Sequence, residues 1–284
     1  MALAIDSVTE QASQACENRA CEKAISLLEE ALRQRPIDFT LHYRLGQCYG
    51  GLCRRHSLVH SEMALAFLRQ ALRLARDRPG ARAEVLDQLA ATLLESGSPA
   101  REGVLLEAIG YHEEAAGLYR SLGMEEDWGR AEYNLGNSYC ELAELTGQEL
   151  WREAIAHYLA VLEVRTREQD PEAYAAVLTN LGTAYRHVPA IGLCIQYYHR
   201  ALVIYGTSHP EKTAALENNL GNAFLSLVPT DRATAARNIR RALRHFDRAL
   251  KLQQPGNSRS RVFEVARQNR ARACERLERF ESKL

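Results

Sequence analysis

The sequence predicts an all-α fold, a solenoid of about six stacked helical hairpins closed by a C-terminal capping helix. Three observations carry that expectation. First, the phrase Leu-Gly-x-x-aromatic recurs at Leu45–Tyr49, Leu135–Tyr139, Leu181–Tyr185 and Leu220–Phe224, and self-similarity of this kind marks a repeat architecture. Second, each copy is followed by another helical phrase with small residues seven apart, so the repeating unit is a pair of helices. Third, 284 residues run on without a Pro/Gly/Ser-rich linker, a length that strains one globular core but suits a stacked array.

With the Gly of each Leu-Gly as register mark, the equivalent small residues are Gly46, Ala90, Gly136, Gly182, Gly221 and, in a degraded last copy, Ala271. Second helices are marked by Ala24/Ala31, Ala64/Ala71, Ala108/Ala115, Ala154/Val161, Cys194/Ala201 and Ala242/Ala249. Between each pair stands a bulkier residue, in turn Leu28, Leu68, His112, Tyr158, Tyr198 and Phe246. Small residues let helix backbones approach closely, and the bulky ones fill the groove between neighbours. The hairpins are expected at 5–36, 38–78, 81–122, 127–166, 173–206 and 212–252, followed by a cap at 259–282. Arg267, Arg270, Arg272, Glu275, Arg276 and Glu278 give that last helix the wettable face a terminal unit needs.

Composition narrows the function classes. A hydrophobic content of 46% with 25% charged residues fits a folded chain rather than a disordered one. No apolar run is long enough to span a membrane, and the start Met1–Asp6 lacks the basic and apolar segments of a secretory signal, so a cytoplasmic protein is expected. The 7 cysteines are scattered through helical phrases, as suits reduced thiols. Net charge is zero, yet Glu95 to Glu172 holds 17 acids against 6 basic residues, and Asp231 to Leu284 holds 15 basic residues against 6 acids. Such polarity can steer an acidic partner or bring copies of the chain together, so a homo-oligomer is among the expectations.

The repeat resembles the tetratricopeptide repeat, whose W-x-x-L-G-x-x-Y, A-x-x-x-F, A and P pattern is matched along the whole chain, most closely from Leu181 to Gly206. Between register Gly or Ala and the second helix lie 18 residues in three units (Gly46 to Ala64, Ala90 to Ala108, Gly136 to Ala154), 21 from Gly221 to Ala242 and 12 from Gly182 to Cys194. The longer units are similar to the long-repeat class seen in kinesin light chain. Leu216–Phe224 and Leu162–Glu168 are similar to bacterial arrays with N-N-L-G-N-A-Y units.

The resemblance implies a right-handed superhelix whose first helices line a concave groove. Carried over by register, the groove residues are Tyr43, Arg44 and Gln47, then Asp87 and Gln88, then Tyr133, Asn134 and Asn137. Thr179, Asn180 and Thr183 follow, with Asn218, Asn219 and Asn222, and the cap adds Gln268, Asn269 and Arg272. Asn and Gln each offer a donor and an acceptor, so a row of them can bind the main chain of an extended peptide. The competing reading is architectural: Asn is a poor helix-interior residue, and hydrogen bonds between repeats would also account for its recurrence.

Other motifs carry less. Gln14-Ala15-Cys16 echoes a caspase nucleophile motif but is followed by Glu17-Asn18 in a helical phrase. Cys16/Cys21 and Cys48/Cys53, with His56 and His60 nearby, are five residues apart, which turns paired thiols to different sides of a helix, so no metal site is expected. Arg237, Arg241, Arg244 and Arg248 share one helical face and make nucleic-acid binding the alternative function, although no base-stacking aromatics are interleaved with them. The closing Ser282-Lys283-Leu284 spells a peroxisomal signal, relevant only in a eukaryote. Nothing resembles a phosphate loop or activated nucleophile, so the chain reads as a non-enzymatic scaffold or adaptor, without cofactor, whose concave groove binds an extended peptide or a helix of another protein.

Overall fold

A computed structural model of the chain describes residues 5–17, 20–53, 58–227, 231–252 and 260–281. His56 and the Ser282-Lys283-Leu284 tripeptide lie outside the described residues, as do the side chains of Cys16 and Cys53. Every described element is a helix or a connection between helices. The chain divides into two compact units, Met1–Leu150 and Trp151–Leu284.

The first unit contains α1 (Ile5–Glu17), α2 (Cys21–Gln34), α3 (Phe39–Cys53), α4 (Leu58–Leu74), α5 (Pro79–Glu95), α6 (Arg101–Ser121) and α7 (Glu125–Thr146). The second contains α8 (Trp151–Val164), α9 (Pro171–Tyr185), α10 (Ile191–Tyr205), α11 (Pro210–Ser226), α12 (Arg232–Lys251) and α13 (Arg261–Glu281). Within each unit, helices pack on their sequence neighbours, and some first helices also touch the next first helix, as α3 does α5. Local chemistry sets the ends. Pro79, Pro171 and Pro210 open α5, α9 and α11, where a missing N–H is harmless. Asp170 and Asp231 cap α9 and α12, accepting backbone N–H bonds from Ala173 (2.9 Å) and Thr234 (2.7 Å). Gly147 closes α7 at φ 70, a left-handed position that favours glycine.

Packing follows the small-and-bulky scheme. Ala24, Ala64, Ala71, Ala108, Ala115, Ala154, Val161, Cys194, Ala201, Ala242 and Ala249 are buried, and so are Leu28, Leu68, His112, Tyr158, Tyr198 and Phe246. The Leu-Gly glycine is explained by its partner. A Cβ on Gly46 would stand 2.5 Å from Leu68 Cγ and one on Gly182 2.5 Å from Tyr198 Cδ1, while on Gly221 it would strike the Phe246 ring. The bulky residue of the second helix rests directly on the first helix's backbone.

In the third hairpin the extra residues lengthen the helices rather than the loop. The α5–α6 connection is 96–100 and the α9–α10 connection 186–190, equally short. However, α6 spans 21 residues where α10 spans 15, and α5 spans 17 where α9 spans 15.

One register assignment is corrected. Ala271 is exposed, and Ala266 and Ala273 make the buried contacts of α13. The cap packs on α11 and α12 through Phe263, Ala266 and Ala273, a seam offset from the Leu-Gly register.

Candidate functional site

In the first unit, α3, α5 and α7 lie in order and present their groove positions around a pocket of ≈ 320 Å³. Its walls include Tyr43, Asp87, Gln88 and Asn134, drawn from three successive first helices. Glu84, Ala91 and Arg130 complete the rim, with Tyr119 of α6 behind them. Arg44 and Gln47 stand beside the pocket, bonded to each other at 3.0 Å. Tyr133 and Asn137 are half-buried on α7.

Asp87 has a second role that its groove register did not indicate. The bulky position of the third hairpin holds a histidine, and buried His112 places Nδ1 3.1 Å from Asp87 Oδ1. Arg130 donates to Asp87 Oδ2 from Nε (3.1 Å) and from a terminal nitrogen (3.0 Å), and also pairs with Asp127 at 2.7 Å. The Asp87 carboxylate therefore ties α5 to α7 through Arg130 and lies against His112 of α6, with its side chain only 14% exposed. Burial alone would raise its pKa, but hydrogen bonding and the field of His112, then Arg130, more than offset that and hold it below the ordinary carboxylate value. Arg130 is raised despite burial because Asp87 and Asp127 flank it. Burial, with Glu84 nearby, pushes the Tyr43 hydroxyl up to about 12, so Tyr43 stays a hydrogen-bond donor at neutral pH.

In the second unit the predicted row divides between two uses. Asn218 is buried, and its Oδ1 accepts from Asn269 Nδ2 at 2.9 Å, joining α11 to α13. Thr179 and Thr183 return their hydroxyls to the carbonyls of Ala175 (2.8 Å) and Thr179 (3.1 Å), and Thr183 also meets the Tyr198 hydroxyl at 3.1 Å. Asn180 is half-buried, Gln268 bonds Glu264 at 3.2 Å, and Arg272 is exposed. By contrast, the side-chain amides of Gln88, Asn134, Asn219 and Asn222 make no hydrogen bond among the described residues while being half-buried. On α12, Arg237, Arg241, Arg244 and Arg248 are all exposed, and Arg241 rests over the Phe224 ring at 5.7 Å.

Sequence register missed Glu84, Tyr119 and Arg130. Glu84 and Arg130 sit nearer the N-terminal ends of their helices than the Leu-Gly window reaches. Only the Asp87–His112 pairing, once seen, explains why an arginine stands opposite. The aromatics of Leu-Gly-x-x-aromatic have an unanticipated role as well. Tyr49 donates to Glu29 of α2 at 2.8 Å and Tyr139 to Glu113 of α6 at 2.9 Å, each five residues past the first small residue of the preceding second helix. The matching position before Tyr185 is Leu159, and Tyr185 stacks instead on Tyr197 with centroids 5.3 Å apart.

Among the described residues no helix is long and apolar enough to cross a membrane, and no group of three or more His, Cys, Asp or Glu is placed to hold a metal ion. Comparison with protein-family models and with curated proteins gives no match. Solved structures do match. BtubC (BKLC) from P. vanneervenii is similar at 20% identity and a TM-score of 0.58, covering 89% of this chain and 96% of that one. The apo form of RapI is 13% identical with a TM-score of 0.60, covering 98% of each chain. YrrB, described as a TPR protein with an unusual peptide-binding site, is 15% identical with a TM-score of 0.55, covering 85% of this chain and 97% of its own. Repeated hairpins, buried register residues and these likenesses agree: the chain has the all-α helical-repeat fold of tetratricopeptide proteins.

Proposed function

We propose that this protein is a non-enzymatic interaction scaffold whose first helices bind an extended segment of a partner protein. The observation that carries the reading is the pocket of the first unit, where Tyr43, Gln88 and Asn134 from three successive first helices converge with unspent amides. Half-buried amides without partners lose hydrogen bonds that a peptide main chain can restore. Asn218 spends its side-chain oxygen on Asn269, whereas the pocket amides have no such partner among the described residues. A peptide-binding site on the same fold in YrrB supports the reading by analogy alone. The scaffold is read as one solenoid domain over 1–284, working in the cytoplasm.

The test is selection from a random peptide library on the intact protein, followed by affinity measurement. Replacing Tyr43, Gln88 and Asn134 with Ala is expected to weaken selected peptides by about tenfold or more, about 1.4 kcal/mol, with helical circular dichroism unchanged. Equal binding by the triple variant defeats the assignment.

A second reading rests on the four exposed arginines of α12. Nucleic-acid binding there predicts a gel shift with random DNA or RNA that fades with salt, and no shift at low salt disposes of it. If the basic end instead meets the acidic middle of another copy, light scattering should give a mass that falls toward 31.9 kDa as salt rises.

A further inference from the structure

The second unit carries another concavity, lined from α8, α9 and α10, which the peptide reading leaves unused. It measures ≈ 420 Å³ and opens between the end of α8, the connection to α9, and α10. The floor is aliphatic, built from half-buried Leu162 and Ile204 over fully buried Leu178, with Val203 beside it at 71% exposure. The rim carries three guanidinium groups, Arg165, Arg167 and Arg200, against one carboxylate, Glu168.

Local structure holds these groups in place. Thr166 donates its backbone N–H (3.1 Å) and its hydroxyl (3.0 Å) to Gln169 Oε1, which pins the short connection that presents Arg165 and Arg167. Arg200 donates to the Tyr174 hydroxyl at 2.7 Å and lies over the Tyr197 ring at 5.4 Å, so one rim guanidinium is oriented in advance. Arg165 and Arg167 pair with no acid among the described residues. This stretch is a basic island within the segment Glu95 to Glu172, where acids outnumber basic residues 17 to 6.

Charge and surface together choose the ligand. Guanidinium groups match carboxylates through paired N–H donors, and an aliphatic floor gains only from an apolar group set over it. A phosphate backbone would satisfy the rim and leave the floor wet. We infer that this pocket receives an acidic-aliphatic peptide segment of a protein partner, with a Leu, Ile or Val side chain on the floor and the carboxylate of a neighbouring Glu or Asp between Arg165 and Arg200.

The probe is a fluorescein-labelled peptide of alternating Glu and Leu, blocked at both ends, followed by anisotropy on the intact protein at low salt. Saturable binding is expected, weakened about tenfold or more when Gln replaces Glu or when Ser replaces Leu in the peptide. Two substitutions on the protein, Arg165→Gln with Arg167→Gln, are expected to cause a similar loss. Both are surface side chains outside the packed core, and Val203→Ser gives an independent variant that reads the floor rather than the rim. The Tyr43/Gln88/Asn134 triple Ala variant should bind the probe as the wild type does, which separates this site from the first-helix pocket. Absence of binding, equal affinity for the Gln peptide, or indifference to the arginine substitutions overturns the proposal. Displacement of the probe by octanoate at matching concentration would assign the pocket to a free aliphatic acid and overturn it equally.

Discussion

At the scale of single residues, the Leu-Gly glycine and Asp87 show how one position answers to two demands. Ala at position 182 would gain about 1 kcal/mol of helix propensity over Gly. Its Cβ, however, would stand 2.5 Å from the ring of buried Tyr198. Overpacking of this kind costs about 1–3 kcal/mol, so Gly182→Ala is expected to lower the urea midpoint although the same change on an open helix face would raise it. An unchanged or higher midpoint would show that the ring yields. Asp87 has a folded pKa below its ordinary value, so its contribution to stability is complete above that ordinary value and is lost as pH falls through the folded one. Unfolding midpoints measured downward from pH 7 should therefore drop for the wild type in the acid range, below about pH 4. Asp87→Asn should be weaker at neutral pH and flatter through that range; parallel curves would refute the linkage.

At the scale of helices, the unit lengths read from sequence locate the insertions but not their form. Eighteen residues from Ala90 to Ala108 against 12 from Gly182 to Cys194 could have meant a longer loop. The chain instead lengthens both helices, α5 by two residues and α6 by six relative to α9 and α10, because added helix satisfies its own backbone and extends the packed seam. Ends are set by side chains that the sequence displays openly. Asp231 accepts from the Thr234 N–H at 2.7 Å and from its hydroxyl at 2.8 Å. Asp231→Ala should cost about 1 kcal/mol, read as a lower thermal midpoint with faster amide exchange in the first turn of α12. Unaltered exchange there would mean that packing rather than the cap holds the turn.

At the scale of the molecule, the core is a chain of clusters rather than one centre. Leu65, Leu68, Val85, Leu89 and Val104 form one, and Tyr198, Tyr205, Leu216 and Leu220 another. Stability in such an array sums over neighbouring interfaces, so a terminal helix matters through the face it covers. In the second unit, α13 places Ala273 against Phe224, Ile239 and Phe246, and Phe263 and Ala266 against Ala214 and Ala249. A chain ended at residue 252 should unfold at lower temperature and bind a hydrophobic dye. An unshifted midpoint would show that the cap contributes only solubility.

The sequence by itself determined the helices, their pairing and the positions that pack, because a small residue facing a bulky one at fixed spacing has one consistent solution, repeated along the chain. It also showed Asn and Gln recurring on the first helices, since register alone assigns a face. Only the tertiary structure decided which of those amides are spent. Asn218 is consumed by Asn269 across 51 positions of chain, and Asp87 is drawn inward by a histidine where other hairpins carry Leu, Tyr or Phe, while Gln88 and Asn134 stay unpartnered among the described residues. The basic pocket at Arg165 and Arg200 was likewise invisible in one dimension. Periodicity reports which face a residue occupies, whereas hydrogen-bond partners and pockets depend on which faces meet, and that is set by the packing of distant segments.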